Sequence, residues 1–431
     1  MTALQSAALL LFINLGLLWL LMRIPLGVRT IRLTRTFQRP PEELWRAIDP
    51  AGTDADWHHS VISSKPLKNR TGIVEQIYSH LDRDGAPLRR LLALEPLPAA
   101  GGRGFRSRVA DDSTLDLAFW RDFSESRIVR RLPDGAEIEI TQTDRYRGLA
   151  FLLFRYVMLR RELRALEGWL ETGASVPQGY FEHPTFQCGL AILSTFLLWP
   201  FFGLTTSGLM ISTFLTLVIA LHELGHLAAY RTFGHESVRM IFVPLLGGIA
   251  IGGRPYKSHF EVATCALMGP GISAFFVPIL IAGDNIAAHG LLSEQFRGPL
   301  LIFLLILGAF NLLNLLPMQR FDGGQVLRQI FRTPRSLIGA SFAITACILV
   351  IGWEVGVSSG ILAAALAVFI LLSMIGAGSL KPRHKLEEMK ACERLLVTFG
   401  LYAAILIHGY AVIFRQKSSF DALSKLVVAS S

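Results

Sequence analysis

The sequence His222-Glu223-Leu224-Gly225-His226 lies inside an apolar stretch, 207–230, in which Glu223 is the only acidic or basic side chain apart from the two histidines. A stretch of that length and composition crosses about 30 Å of hydrocarbon as a helix, so the motif has to be read as part of one. One turn apart, His222 and His226 share a face. Two imidazoles there can hold one Zn2+ while Glu223 acts on a water. The bland alternative is an accidental match of three fixed positions. Against it, an ionisable group within a spanning helix costs about 3 kcal/mol on insertion scales and is usually kept for function. Metal binding is therefore the expectation.

Composition agrees with a membrane protein: 52% hydrophobic, only 17% charged, over 431 residues. The net charge of +9 does not imply nucleic acid, because a multispanning chain gathers Lys and Arg in its cytoplasmic loops. Four cysteines, Cys188, Cys265, Cys347 and Cys392, give no disulfide framework and no CxxC site. About eight spans are expected, near 7–22, 186–204, 208–230, 262–282, 298–316, 337–353, 359–377 and 395–414. The first, followed by Arg23, Arg29, Arg32 and Arg35, reads as an uncleaved anchor within 1–25, its N-terminus outside. Threading the rest from a cytoplasmic soluble domain puts the Arg- and Lys-bearing loops 231–261, 317–336 and 380–394 on the cytoplasmic side. His222 and His226 then lie toward the cytoplasmic half of their helix.

Two histidines leave zinc short of a protein ligand. The metzincin pattern needs Gly at 229 and His at 232, where Ala229 and Thr232 stand. Glu236 or Glu261 would suit a thermolysin-like arrangement, but no second helix pattern carries them. Asp322 is the better candidate. It sits in Asn314-Leu315-Leu316-Pro317-Met318-Gln319-Arg320-Phe321-Asp322-Gly323-Gly324, where Pro317 breaks a helix and the glycines turn the backbone. Irregular main chain at membrane depth is tolerated where it lines a polar cavity or is buried in protein.

His222-Glu223-x-x-His226 followed by Asn314-x-x-Pro317-x-x-x-x-Asp322-Gly323 resembles the site-2 protease family of intramembrane zinc metalloproteases. Gly269-Pro270-Gly271-Ile272-Ser273 resembles that family's Gly-Pro-x-x-Asn/Ser element, and 243–249, with Gly247 and Gly248, its re-entrant β-hairpin. The resemblance covers about 186–332. It implies His222, His226 and Asp322 as ligands to one Zn2+ per chain, Glu223 as general base, and Asn314 as a residue that positions the substrate or merely bonds between helices. Gly269, Pro270, Gly247 and Gly248 are implied in shaping the site. The implied substrates are transmembrane protein segments, whose helices must unwind before hydrolysis. The edge offered by 240–251 would receive an unwound segment as an added strand.

Between 29 and 172 the chain is polar and mixed. A strand near 36, a Pro-Pro-Glu helix start at 40–48, strand-like runs at 72–78, 104–109, 115–123, 127–132 and 136–145, and a long helix at 148–171 are expected. That order resembles the START-like, polyketide-cyclase-like helix-grip fold, which implies an apolar cavity for a lipid or hydrophobic small molecule. Asp54, Asp56, His58 and His59 could suggest a second metal, but nothing fixes their geometry.

The expected architecture is a polytopic α-helical membrane protein with a re-entrant β-hairpin and an inserted cytoplasmic α+β helix-grip domain. It divides into an anchor (1–25), the helix-grip domain (29–172), a metalloprotease core (186–332) and C-terminal transmembrane helices and tail (337–431). A multi-pass protein of the bacterial inner membrane is expected. Two rivals differ in class: a membrane-tethered lipid-binding protein with a vestigial protease core, and a zinc transporter. An intact His, Glu, His and Asp set argues against the first, and concentration of the ligands at one point against the second.

Overall fold

The computed structural model describes residues 20, 23–52, 57–99, 101–174, 183–243, 247–291, 293–363, 366 and 383–429. It divides into two compact units, the first ending at Gln178 and taking in residues 383–385, the second holding the rest.

The first unit is one seven-stranded antiparallel sheet with two helices. Its strands are β1 (Pro25–Phe37), β2 (Val61–Pro66), β3 (Ile73–Leu81), β4 (Pro87–Ala99), β5 (Gly102–Asp112), β6 (Ser124–Leu132) and β7 (Gly135–Arg147), in the order β1-β7-β6-β5-β4-β3-β2. Helix α1 (Pro41–Ile48) starts on Pro40-Pro41, with Glu42 and Glu43 in its first turn. Helix α2 (Leu149–Thr172) follows β7 and stops at Gly173, whose φ of +68° suits a left-handed cap. Leu159, Leu163 and Leu166 of α2 close over Ile31, Val129, Ile138 and Ile140 of the sheet, with Leu44 and Ile48 of α1 in the same core. This is the strand, helix, six strands, helix order of a helix-grip architecture.

The structure corrects two expectations here. Residues 115–123 are a loop, because Asp112 accepts the N–H groups of Thr114 and Leu115, and Asp116 that of Ala118, turning the chain twice. Strands β2 and β4 were not expected from the pattern; Pro96 and Pro98 and the leucine run of β4 mask its alternation. The helix-facing side of the sheet also differs from an apolar cavity. Arg127, Glu125 and Gln142 point there with Glu162 of α2, and Arg90 is paired with the fully buried Asp112. Asp54 and Asp56 lie outside the described residues. His58 stacks on His59 and bonds the Ser60 hydroxyl.

The second unit is helical. Among the described residues six helices are long and apolar enough to cross a membrane: Pro184–Phe202, Thr206–Thr232, His259–Ala288, Glu294–Asn314, Pro334–Glu354 and Ala391–Phe414. The helical elements are α3 (Pro184–Leu198), α4 (Thr206–Thr232), α5 (His259–Ala288), α6 (Arg297–Asn314), the short α7 (Asp322–Ile330), α8 (Pro334–Glu354) and α9 (Ala391–Ala429). The expected spans at 7–22 and 359–377 fall outside the described residues. A hairpin, β8 (Arg239–Val243) and β9 (Gly247–Ile251), joins α4 to α5. Leu312, Leu315, Val326, Leu327, Ile344, Leu401 and Ile405 form a core that welds α6, α7, α8 and α9 together.

Candidate metal centre

Helix α4 places His222 and His226 on one face, and two glycines let its neighbours come close. A Cβ on Gly225 would lie 2.1 Å from the Met268 carbonyl oxygen of α5, and one on Gly269 would lie 2.5 Å from His226 Nε2 and 2.8 Å from His222 Cε1. Gly269 is thus the floor under both imidazoles. The third acid arrives from α7. Pro317 ends the run of α6, the chain turns through 315–321, and Gly323 and Gly324 pack against the carbonyls of Leu315 and Met318 so tightly that no side chain fits. Asp322 is thereby the first residue of a new helix, where its negative charge meets the positive end of the dipole.

These three groups converge. His222 Nε2 and His226 Nε2 are 3.1 Å apart, and Asp322 Oδ2 is 3.0 Å from the first and 3.5 Å from the second. The protons are elsewhere. Asn311 donates from Nδ2 to the Leu307 carbonyl at 2.8 Å, which turns its Oδ1 toward His222 Nδ1, also at 2.8 Å. His226 Nδ1 lies 2.7 Å from the Cys265 carbonyl oxygen. Both partners accept only, so each ring carries a hydrogen on Nδ1, and in its neutral form it presents a bare lone pair at Nε2. The short approaches to Asp322 are therefore not hydrogen bonds, and Asp322 Oδ2 is buried with no donor.

Three inward lone pairs and no donor among them repel one another unless a cation sits between them. A tetrahedral zinc with bonds of about 2.0–2.1 Å spaces its ligand atoms about 3.3–3.4 Å apart, close to the triangle found. The residues present fit zinc, and each histidine has the partner that orients a metal-bound imidazole.

Glu223 points to a different side. Its carboxylate accepts the backbone N–H of Ala250 in β9, and a Cβ on Gly248 would lie 2.4 Å from Glu223 Cγ. Gly247 is glycine for another reason, a φ of +110° where the hairpin turns into β9. On the far edge of the hairpin Gln187 of α3 accepts the Phe242 N–H at 2.6 Å. Because Phe242 faces Gly248, and Met240 faces Ala250, in register, Gly248 and Ala250 direct their backbone groups away from β8, toward Glu223.

Asn314 is half-buried and donates to the Phe310 carbonyl of its own helix at 3.1 Å. Pro270 offers its carbonyl to His408 Nε2 of α9 at 2.9 Å. Glu261 is spoken for: His235 Nε2 at 2.8 Å and Arg254 at 2.9 Å hold it in a buried cluster away from the triangle. His235, His259 and His408, scattered in sequence, each have a partner, Glu261, Gln329 and Pro270. Sequence reasoning missed Asn311, one helical turn before the Leu315 backbone that α7 packs on. It also missed Gln187, and the carbonyl of Cys265, a backbone group no sequence pattern displays.

No family model matches the chain. A curated zinc metalloprotease of Methanocaldococcus jannaschii is 27% identical over 143 residues, 33% of this chain. The chain spans 38% of that relative's length. Similar solved structures each cover about a third of the chain. Ara h 8.0201 is 14% identical over 34% of this chain and 99% of its own, with a TM-score of 0.26. Protein MLL2253 of Mesorhizobium loti is 19% identical over 33% and 97%, TM-score 0.23. The AHSA1 protein of Silicibacter pomeroyi is 17% identical over 33% and 98%, TM-score 0.22.

Proposed function

We propose that this protein is an intramembrane zinc endopeptidase of the site-2 protease type, which hydrolyses peptide bonds in or near the transmembrane segments of other proteins. The observation that carries the reading is the acceptor-only triangle of His222, His226 and Asp322 inside a bundle of apolar helices, with Glu223 beside it. The zinc metalloprotease similarity supports the same chemistry. Zinc, when held by these three residues, supplies Lewis acidity that lowers the pKa of a water and polarises a peptide carbonyl.

The chain's own groups do the rest. Glu223 takes the water's proton on its carboxylate and delivers it to the leaving amine nitrogen. The Ala250 N–H fixes the rotamer from which it does so. An unwound substrate segment pairs with the outward backbone groups of Gly248 and with the Ala250 carbonyl, which brings its carbonyls past Glu223. Gln187 holds the opposite edge of the hairpin, so that β9 is the edge presented to the site. Asn314 lies one turn from Asn311 and is available to a substrate backbone through its oxygen. The sheet unit is a START-like regulatory domain. The Lys and Arg of the loops support a location of this unit and the site on the cytoplasmic side of a cell membrane.

Membranes holding the wild type or Glu223→Gln, incubated with candidate single-span proteins, test the proposal. Fragment release falls about 10²–10⁴-fold in the variant while zinc content by mass spectrometry stays level. Equal fragment yields from both would end the proteolytic assignment.

A further inference from the structure

Helix α2 changes character halfway along. Its exposed positions from 151 to 157 are Phe151, Leu153, Phe154, Tyr156 and Val157, with Phe154 63% exposed. Beyond them the exposed positions are Arg160, Arg164, Glu171 and Thr172. The buried stripe of Leu159, Leu163 and Leu166 fastens the second half to the sheet, whereas the first half is held by the half-buried Leu152 and by the Arg155 bond to Gln142. The loop 113–123 widens the bare area with Leu117 and Phe119, both exposed. It is pinned beside α2 by Asp122 on Arg145 at 2.6 Å and by Arg155 over the Phe123 ring at 5.8 Å. Large apolar side chains clustered in this way mark an interaction face, unlike single ones scattered on a surface.

Two observations say what covers it. The N–H of Gly148, the residue before α2, donates to the Ile24 carbonyl at 2.9 Å. Ile24 is two residues past the apolar run 7–22. The bare half of α2 therefore lies at the end of the sheet unit where the chain passes to its first long apolar segment. The rim is also cationic. Arg121, Arg147 and Arg160 are exposed around it, with Arg145 ion-paired to Asp122, set against the exposed Asp116 of the loop. Apolar rings and aliphatic side chains bordered by guanidinium groups match one partner chemistry, the boundary between acyl chains and phosphate headgroups.

The geometry points to the first half of α2, with loop 113–123, as a face that docks the sheet unit on an anionic lipid bilayer. The rings enter the acyl boundary and the arginines meet lipid phosphates. This face is then an attachment of the sheet unit additional to the chain segments that lead into β1, out of α2 toward α3, and from residues 383–385 toward α9.

The full chain tests this in nanodiscs, with Cys188, Cys265, Cys347 and Cys392 replaced by alanine, zinc content checked, and a spin label at Phe154→Cys or Arg164→Cys. In discs containing phosphatidylglycerol the label at 154 is relaxed by oxygen and loses relaxation by a water-soluble nickel chelate. The label at 164 keeps the nickel effect. In all-phosphatidylcholine discs the contrast between the two positions shrinks. Equal nickel access at both positions overturns the docking. So does a label at 154 shielded from oxygen and nickel alike, the sign of cover by protein, whether a second copy or another part of this chain. An undiminished contrast in neutral discs overturns the role of the arginines.

Discussion

Each unit buries a cluster of charge, and only one of the two clusters can satisfy itself. In the sheet unit Arg127 donates to Glu125 at 2.7 Å and to Glu162 at 2.6 Å, and Gln142 donates to the other oxygen of Glu125 at 2.7 Å. Donors meet acceptors throughout. In the helical unit His222, His226 and Asp322 turn three acceptors on one point, and their neighbours Asn311 and Cys265 fix the imidazole protons on the far side. A buried network with matched donors is a device of the fold; a buried cluster of acceptors alone is a cation site. Hydrogen inventory separates the two where burial and residue type do not.

The largest expected effect comes from Asp322→Asn, which turns the second kind of cluster into the first. The new amide supplies donors to the bare Nε2 atoms at nearly constant volume. Zinc content and proteolysis both fall to background, while thermal unfolding of the helical unit is no worse than that of the wild type stripped of metal by chelator. Full zinc occupancy in this variant would show that Asp322 is not a ligand.

The reverse experiment is Arg127→Met, which leaves the part-buried Glu125 and Glu162 with their donor removed. Breaking a fully buried pair costs about 3–5 kcal/mol, which sets the upper bound for these part-buried groups. Hydrogen exchange at the β6 and β7 amides accelerates accordingly, and zinc content is unchanged. Adding Glu162→Leu restores part of the loss. If Arg127→Met exchanged like the wild type, the network would carry no stability.

What the sequence displayed of the two clusters differs for a physical reason. His222, Glu223 and His226 lie within five residues on one helix, so their shared face follows from helical period alone. Asp322 was legible through Pro317 and Gly323-Gly324, which announce a broken helix. The six apolar helices were legible by length and hydropathy. The Arg127, Glu125, Gln142 and Glu162 network was not, since its members come from three elements and only the register of β6 against β7 brings them together. Loop 115–123 read as a strand because its alternation is real, and the Asx turns that end the strand depend on side-chain geometry. The orienting partners were the hardest to see. The motif drew attention to Asn314, whereas Asn311 reaches His222.

Asn311→Leu against Asn314→Leu turns that last point into a measurement. Loss of the group that orients a metal-bound imidazole costs about 10–100-fold in metal affinity, so competition with a zinc-sensitive chelator shows that shift for Asn311→Leu. Asn314→Leu leaves zinc affinity alone, and any loss it causes appears in turnover. Matching zinc affinities in both variants would remove Asn311 from the centre.

The smallest effect concerns acid. Burial raises the Glu162 carboxyl, but Arg127, with His58 and Arg155 behind it, outweighs burial and holds it below its ordinary value of 4.5. A carboxyl depressed in the folded state contributes stability that is fully present above its unfolded value and is lost as pH falls through the folded one. The sheet unit therefore weakens below about pH 4.5, and Glu162→Gln, already without that charge, weakens less steeply over the same interval. Near-UV circular dichroism of the two proteins across that interval decides it, and superimposable acid transitions would assign the loss to other carboxylates. The metal triangle behaves otherwise with acid. There, protons compete with zinc for the same lone pairs, so its loss follows zinc concentration as well as pH, whereas that of the sheet unit follows pH alone.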